Sequence, residues 1–487
     1  MTKSAWAIPR FFSVNQIFTD LVFMILLFIS SSYVVYFTSQ SVSQVFFLAL
    51  LLIFLLSSKK DYLWFAFFLV IMWTPGYLFS DFSALSTQRL PLYTFLRGWS
   101  FTPLELFLLF AFLKALRYGR RVHFALKRPL ILILIYAGFL FFISFFLYGT
   151  NQDNLDYILK CFINTSIFVS FSLLVYTKED IFRFFYLFLP IVFFIFFAQI
   201  YFVVTGIPFV NLFNPGYRTV VLLSESQVRP LSGGIMILFL SYVSSLLLLR
   251  FQHRFKGKYF LLATVMVCYL SVFLSATRIW FIMFSFILVC YVLFTNVRVA
   301  KYKYLFFVIV LGVILFLNVK PLKFGIEGAW NRISEVGGVV SEGIHEAQTL
   351  DRRVSIRLPK VLEGIKQNWL IGWGFSDTYF EYSDRHVGNF DTILQGGLIG
   401  FLLFGYLWFS FFEMIFVTRK KVKGTNTYRD PLLVLVSAFG AILIAHFSTY
   451  HWFGLLFSQR GGVFLLIFMS VSELFVRLAK HEDRVLE

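Results

Sequence analysis

Five positions in this chain carry side chains suited to chemistry on a phosphate. Arg229 stands in SQVRPLSGGIMIL and Arg278 in FLSATRIWFIMF. Arg353 and Arg357 stand in LDRRVSIRLPKVLEGIKQNWLIGWGF, and His386 in DRHVGNFDTILQGGLIGFLLFGY. A guanidinium presents its N–H donors in a planar fork that matches two oxygens of one phosphate. An imidazole accepts or gives a proton near neutral pH. Together they suit an enzyme acting on a phosphorylated lipid. The same residue types have a plainer use, since arginine at the end of a membrane span reaches out to the headgroups. That use is the expectation for Arg89, Arg97, Arg218 and Arg385. Arg278 fits it poorly, because apolar runs flank it on both sides with almost no loop between them.

The elements that must hold these residues are membrane spans. Of 487 residues, 59% are hydrophobic and only 14% are charged. A bilayer core of about 30 Å needs about 20 helical residues, and apolar runs of that length recur along the chain. The runs are continuous rather than alternating, so helices are expected and not a barrel. The expected fold is all-α, a single polytopic membrane domain over 1–487. Its 14 spans are 17–38, 43–57, 62–80, 101–118, 129–149, 161–176, 181–204, 231–249, 259–276, 279–295, 304–319, 389–417, 431–449 and 453–476. The N-terminal MTKSAWAIPRFF carries two positive charges, but the apolar run after it is long enough to span and lacks a clear cleavage site, so no signal peptide is expected.

Alternate connections hold SSKKDY, KALRYGRRVHFALKR, RFQHRFKGK, NVRVAKYK and RKKVKG, which with both termini carry most of the Lys and Arg. Positive loops stay in the cytoplasm, so both termini are expected inside. The net charge of +18 is then a topology signal spread over short loops, and no nucleic-acid partner is expected. The remaining loops face outward. The longest, 320–388, carries His386 near its end and separates spans 11 and 12.

Within that loop, Val354, Leu358, Val361, Leu362 and Ile365 recur at helical spacing. They predict an amphipathic helix on the outer membrane surface, starting or kinking at Leu358 because Pro359 follows. Trp369, Trp373, Tyr379, Phe380 and Tyr382 come next, either as an interfacial belt or as platforms for sugar rings. Gly396, Gly397, Gly400 and Gly405 form a small-residue stripe that would admit a neighbouring helix and hold the His386 end rigid. Cys161, Cys268 and Cys290 all fall in apolar runs, so no disulfide is expected. No cluster of metal-ligand spacing is present either.

The order of these pieces resembles the O-antigen ligase and polymerase superfamily, the multi-spanning glycan transferases and polymerases of bacterial envelopes. The likeness rests on SATRIW with Arg278, on RRVSIRLPKVLEGIKQNWLIGWG ending at Gly372 and Gly374, and on HVGNFDTILQGGLIG with His386, Gly397 and Gly400, over about 220–410. Val387 stands where the family usually has Asn, with Asn389 nearby, and Gln395 replaces a common Glu. The family's middle arginine is either Arg353 or Arg357. The resemblance implies a metal-independent glycosyltransferase without cofactor in the bacterial cytoplasmic membrane. The donor would be an undecaprenyl-pyrophosphate-linked glycan and the acceptor a glycan or another lipid-linked species. Membrane lipids surround the protein, and a chain-length regulator protein is a further implied partner. Arg278, Arg353 or Arg357, and Arg229 would grip the pyrophosphate, and His386 would serve the acceptor hydroxyl. A polymerase is the first expectation and an O-antigen ligase, passing the glycan to lipid A core or protein, the alternative. A flippase for the same lipids would line its spans with charge and keep its loops short.

Overall fold

A computed structural model gives the fold. It describes residues 14–57, 60–73, 90–96, 99–118, 124–151, 159–160, 162–205, 235–251, 255–275, 278–294, 353–384, 387–423, 427–446 and 460–485. The expected eleventh span and most of the 320–388 loop lie outside these residues.

The described residues are nearly all helical. In chain order the α-helices are α1 Val14–Phe37, α2 Gln40–Leu56, α3 Asp61–Trp73, α4 Pro103–Tyr118, α5 Lys127–Ile143, α6 Ile167–Leu174, α7 Lys178–Thr205, α8 Ile235–Phe251, α9 Phe255–Leu274, α10 Arg278–Phe294, α11 Leu358–Gln367, α12 Asp377–Tyr382, α13 Asn389–Lys421, α14 Arg429–His446 and α15 Arg460–Val485. Short π-helical turns, Ser144–Tyr148 and Arg353–Arg357, extend α5 and precede α11. Among the described residues, 7 helices are long and apolar enough to cross a membrane: Gln16–Val35, Lys127–Tyr148, Lys178–Tyr201, Gly257–Leu274, Asn389–Lys421, Arg429–His446 and Gly462–Glu482. Others, such as Gln40–Leu56 and Ile235–Phe251, are apolar but shorter. Such runs become helices because a helix pairs its own backbone groups, which hydrocarbon cannot do.

One segment departs from the all-α expectation. In the loop expected at 81–100, Tyr93–Leu96 (β1) and Trp99–Phe101 (β2) pair antiparallel, with Tyr93 opposite Phe101. Aromatic and β-branched residues favour that pleated pairing. The hairpin takes Phe101 from the expected span, and the helix starts at Pro103 through a reciprocal cap. Thr102 N donates to Glu105 Oε2 at 2.7 Å, and Glu105 N donates to Thr102 Oγ1 at 3.4 Å. The Tyr93 hydroxyl donates to Gln44 O at 2.7 Å, and burial raises its pKa above the ordinary phenol value, so it keeps its proton.

The core is a continuous apolar cluster. α8 lies at its centre, with Ile237, Leu238, Phe239, Leu240, Tyr242, Val243 and Leu247 all fully buried. Phe411 stacks on Phe439 with centroids 3.6 Å apart, joining α13 to α14.

Polar contacts divide between the two ends of the bundle. At the end carrying the basic loops, Lys60 and the Tyr62 hydroxyl each approach Asp20 at 2.6 Å, and Arg183 donates to Tyr62 at 3.2 Å. Leu126 N donates to Glu473 Oε1 at 2.7 Å, and Arg250 pairs with Asp430 at 3.6 Å. Lys114 Nζ sits 2.6 Å from Asp61 Oδ1, with side chains 3% and 9% exposed, and also donates to Phe54 O at 2.7 Å. Breaking a buried pair by removing one partner costs about 3–5 kcal/mol, whereas replacing both with apolar residues is often neutral. Lys114→Met is therefore expected to lower stability by about 3–5 kcal/mol, and adding Asp61→Leu to restore most of it. Thermal unfolding of the detergent-solubilised protein checks this. Equal losses in the single and double variants would contradict it.

Candidate functional site

The opposite end of the bundle is built on a break in α13. Gly397 has φ 62° and ψ −170°, a left-handed conformation that only glycine adopts without strain. The break separates helical donors from their acceptors, and a buried backbone group without a partner costs about 1–3 kcal/mol. The loop after α11 supplies the missing partners. Leu398 N donates to Trp369 O at 2.8 Å and Ile399 N to Leu370 O at 3.2 Å. In return Trp373 N donates to Leu394 O at 2.9 Å and Gly374 N to Gln395 O at 2.8 Å. The loop lies so close that a Cβ on Gly372 would collide with the backbone of Gln395 and Gly397, and one on Gly397 with Leu370.

α5 clamps this joint from the other side. The Tyr136 hydroxyl is shared between Ile371 O at 3.0 Å and Gly396 O at 2.9 Å. Ser144 Oγ donates to Leu140 O at 2.7 Å and accepts from Phe375 N at 2.8 Å. Thr150 Oγ1 donates to Phe375 O at 2.9 Å, and Asn368 Nδ2 donates to the Tyr148 hydroxyl at 2.8 Å.

The expected start of α11 holds here, and other expectations change. Gly397 admits a loop, and a Cβ at Gly405 would meet nothing within 4 Å, whereas Gly396 and Gly400 are buried and Gly396 O takes the Tyr136 hydroxyl of α5. α11 starts at Leu358 with Pro359 in its first turn, where no backbone donor is lost. Its apolar face does not lie on a membrane surface. Val361 is fully buried with Tyr379, Val387 and Leu394, while Leu358 and Ile365 pack at the edge, so α12 and α13 cover that face. Val354 falls in the preceding π turn and is 45% exposed. Of the aromatics, Tyr379 and Trp373 are structural. Tyr379 is buried, and Trp373 Nε1 donates to Gly364 O at 2.9 Å. Trp369 and Phe380 are exposed.

Arg353 and Arg357 occupy the two ends of one π turn and are each half-buried. Arg357 Nη1 lies 3.6 Å from Asp384 Oδ1. Asp384 is the last described residue before His386. Its backbone N donates to Asp391 Oδ1 at 3.1 Å, and Val387 N donates to Asp384 O at 3.3 Å. Asp391, 1% exposed, also accepts from the Tyr379 hydroxyl at 3.0 Å, and sits in the first turn of α13, where the helix dipole favours a carboxylate. His386 and Arg229 themselves lie outside the described residues.

Arg278 opens α10, and its side chain lies outside the described residues. Its end of the bundle follows from connectivity. α8 ends at the basic end, where Arg250 meets Asp430 at the start of α14. α9 begins four residues later and crosses back, so α10 starts at the opposite end and runs antiparallel to α14. Gly440 faces Phe286, with Cε1 3.3 Å from where a Cβ would stand. Arg278 thus lies near the His446 end of α14. His446 is buried, with Nε2 3.3 Å from Thr392 Oγ1 on α13, which ties α14 to α13 beside Asp391.

Sequence reasoning missed Asp391 and His446. The available signal was an ionisable residue inside or bordering an apolar run. Among the described residues no group of three or more His, Cys, Asp or Glu is placed to hold a metal ion. Comparison with protein-family models and with curated proteins finds no match for this chain.

Gly397→Ala forces both a left-handed alanine and a collision with Leu370, so a loss above about 3 kcal/mol is expected, with the 369–374 loop opened to protease. Gly405→Ala is expected to leave stability unchanged or raise it by up to about 1 kcal/mol. Thermal unfolding and limited proteolysis of both variants check this. A Gly397→Ala protein as stable and protease-resistant as wild type would contradict the account of the break.

Proposed function

We propose that this chain is a glycan polymerase of the cytoplasmic membrane with 14 spans and both termini inside. It would transfer an oligosaccharide from a polyprenyl pyrophosphate to an acceptor hydroxyl on the outer face. The observation that carries the reading is the ion pair of Arg357 with Asp384. It brings an arginine from one side of the long loop next to the segment holding His386, at the end of the bundle where α10 starts with Arg278. That end is opposite the basic loops, which the positive-inside rule assigns to the cytoplasm.

In the proposed reaction the acceptor oxygen attacks the anomeric carbon, a new glycosidic C–O bond forms, and the bond to the lipid pyrophosphate breaks. His386 takes the hydroxyl proton, a contribution of roughly 10²–10⁴-fold. Charge gathers on the departing pyrophosphate, and Arg278, with Arg353 or Arg357 and Arg229, stabilises it. The energy comes from the activated donor itself, and no metal is invoked. A ligase would use the same donor grip and differ in its acceptor.

The test is transfer of a lipid-linked glycan by the purified protein, with donor binding followed separately. His386→Ala is expected to lose at least about 10²-fold in turnover while still binding donor. The wild-type rate should fall below about pH 6.5, as the protonated ring cannot accept a proton. Arg278→Lys should lose most activity despite keeping its charge, because the fork is gone. Near wild-type turnover in His386→Ala, or loss of binding and turnover together, would defeat the assignment of the base.

A further inference from the structure

We infer that Tyr379, Asp391 and Asp384 form a positioning relay for Arg357, and that Arg357 is the contact of this segment with the donor's pyrophosphate. The inference rests on the proposed transferase reading and deepens it.

The relay runs from the core to the surface. Tyr379 is 3% exposed, and its N–H donates to Ser376 Oγ at 3.3 Å, which caps α12. Its hydroxyl donates to one oxygen of Asp391 at 3.0 Å. The other oxygen of Asp391 accepts from Asp384 N at 3.1 Å, which fixes the backbone of Asp384. The Asp384 carboxylate then faces Arg357 at 3.6 Å, with side chains 24% and 35% exposed. Three elements, α12, α13 and the π turn before α11, thereby converge on one guanidinium.

A different pair in the same molecule shows what a purely structural ion pair looks like. Lys114 and Asp61 are 2.6 Å apart and nearly sealed from solvent. Arg357 has the opposite character. Its ion pair is longer than a hydrogen bond and open to solvent, so it adds little to stability. Among the described residues Arg357 has this one partner. Its remaining N–H groups are available to an anion, and its orientation is set beforehand by a carboxylate held from within the core. A weak pair backed by a buried anchor suits a side chain that must keep its direction and yet pass to a ligand. An incoming pyrophosphate takes over the guanidinium by hydrogen bonds that the pair at 3.6 Å does not make. Asp391 and Tyr379 act through Asp384 and touch no substrate themselves.

The test uses the full-length protein in detergent and two probes, geranylgeranyl pyrophosphate and geranylgeraniol. The readout is the ratio of their affinities, since a structural defect weakens both alike. Arg357→Lys is expected to reduce the preference for the pyrophosphate about tenfold. Asp391→Asn, which puts a donor NH₂ in place of one of the two accepting oxygens, should reduce it by a similar factor. Tyr379→Phe, which removes one hydrogen bond and keeps the ring, should reduce it less, and remains informative if Asp391→Asn fails to fold. An unchanged ratio in Arg357→Lys would overturn the role of Arg357. An unchanged ratio in both relay variants, with Arg357→Lys impaired, would overturn the relay and leave Arg357 as a contact. A wild-type protein with no preference for the pyrophosphate would remove the transferase reading and the inference with it.

Discussion

Four backbone groups at the break of α13 govern this end of the molecule. Leu394 and Gln395 lose the donors of their carbonyls, and Leu398 and Ile399 lose the acceptors of their N–H groups. Leu394 and Gln395 are fully covered, while Leu398 and Ile399 expose part of their apolar side chains. At about 1–3 kcal/mol for each group left unpaired, the break could not persist alone. It persists because residues 369–374 run alongside it and pair all four. The loop is therefore a required part of α13, and its sequence is constrained by the helix it completes. Gly372 is glycine because nothing larger fits against the Gln395 and Gly397 backbone.

That constraint propagates outward. A loop fixed at 369–374 fixes the end of α11 before it and the start of α12 after it. Asn368 reaches the Tyr148 hydroxyl and Thr150 reaches Phe375 O, so the far end of α5 is bound to the same joint. α12 then offers Tyr379 to Asp391, and Asp391 holds Asp384. The result is a polar surface layer whose geometry is dictated by backbone pairing several residues below it. The other end of the bundle is held differently, by side-chain ion pairs such as Lys60–Asp20 and Lys114–Asp61. Those pairs join neighbouring helices at the end of the bundle that carries the basic loops. The division gives the protein one end closed by salt bridges and one end with a half-exposed arginine above a rigid joint.

Much of this was legible in the residues. Long apolar runs announced helices, since a single local rule governs them. α11 began where Pro359 required, and the periodic Val361 and Ile365 did mark its packed face. The break at Gly397 was not legible, because a glycine stripe in an apolar run reads equally well as a helix contact. Only the loop beside it distinguishes the two, and that loop is distant along the chain from α5, which also holds it. The hairpin at Tyr93–Phe101 was hidden for a similar reason, as its residues also suit a helix end. Asp391 was overlooked because a carboxylate near a helix start has an ordinary explanation in the helix dipole. Its second role needs Tyr379 and Asp384 in place. His446 was passed over inside an apolar run, though an ionisable residue there is itself a signal.

The account stands on the docked loop facing outward and the salt-bridged end facing the cytoplasm. Single cysteines at Glu381 and Lys421, both exposed and at opposite ends of the bundle, test this most directly in intact cells with a membrane-impermeant thiol reagent. The account predicts that Glu381→Cys labels from outside and that Lys421→Cys labels only after permeabilisation. Labelling of Lys421→Cys in intact cells, with Glu381→Cys protected until permeabilisation, would contradict it and remove the proposed site from the face where its substrate would be.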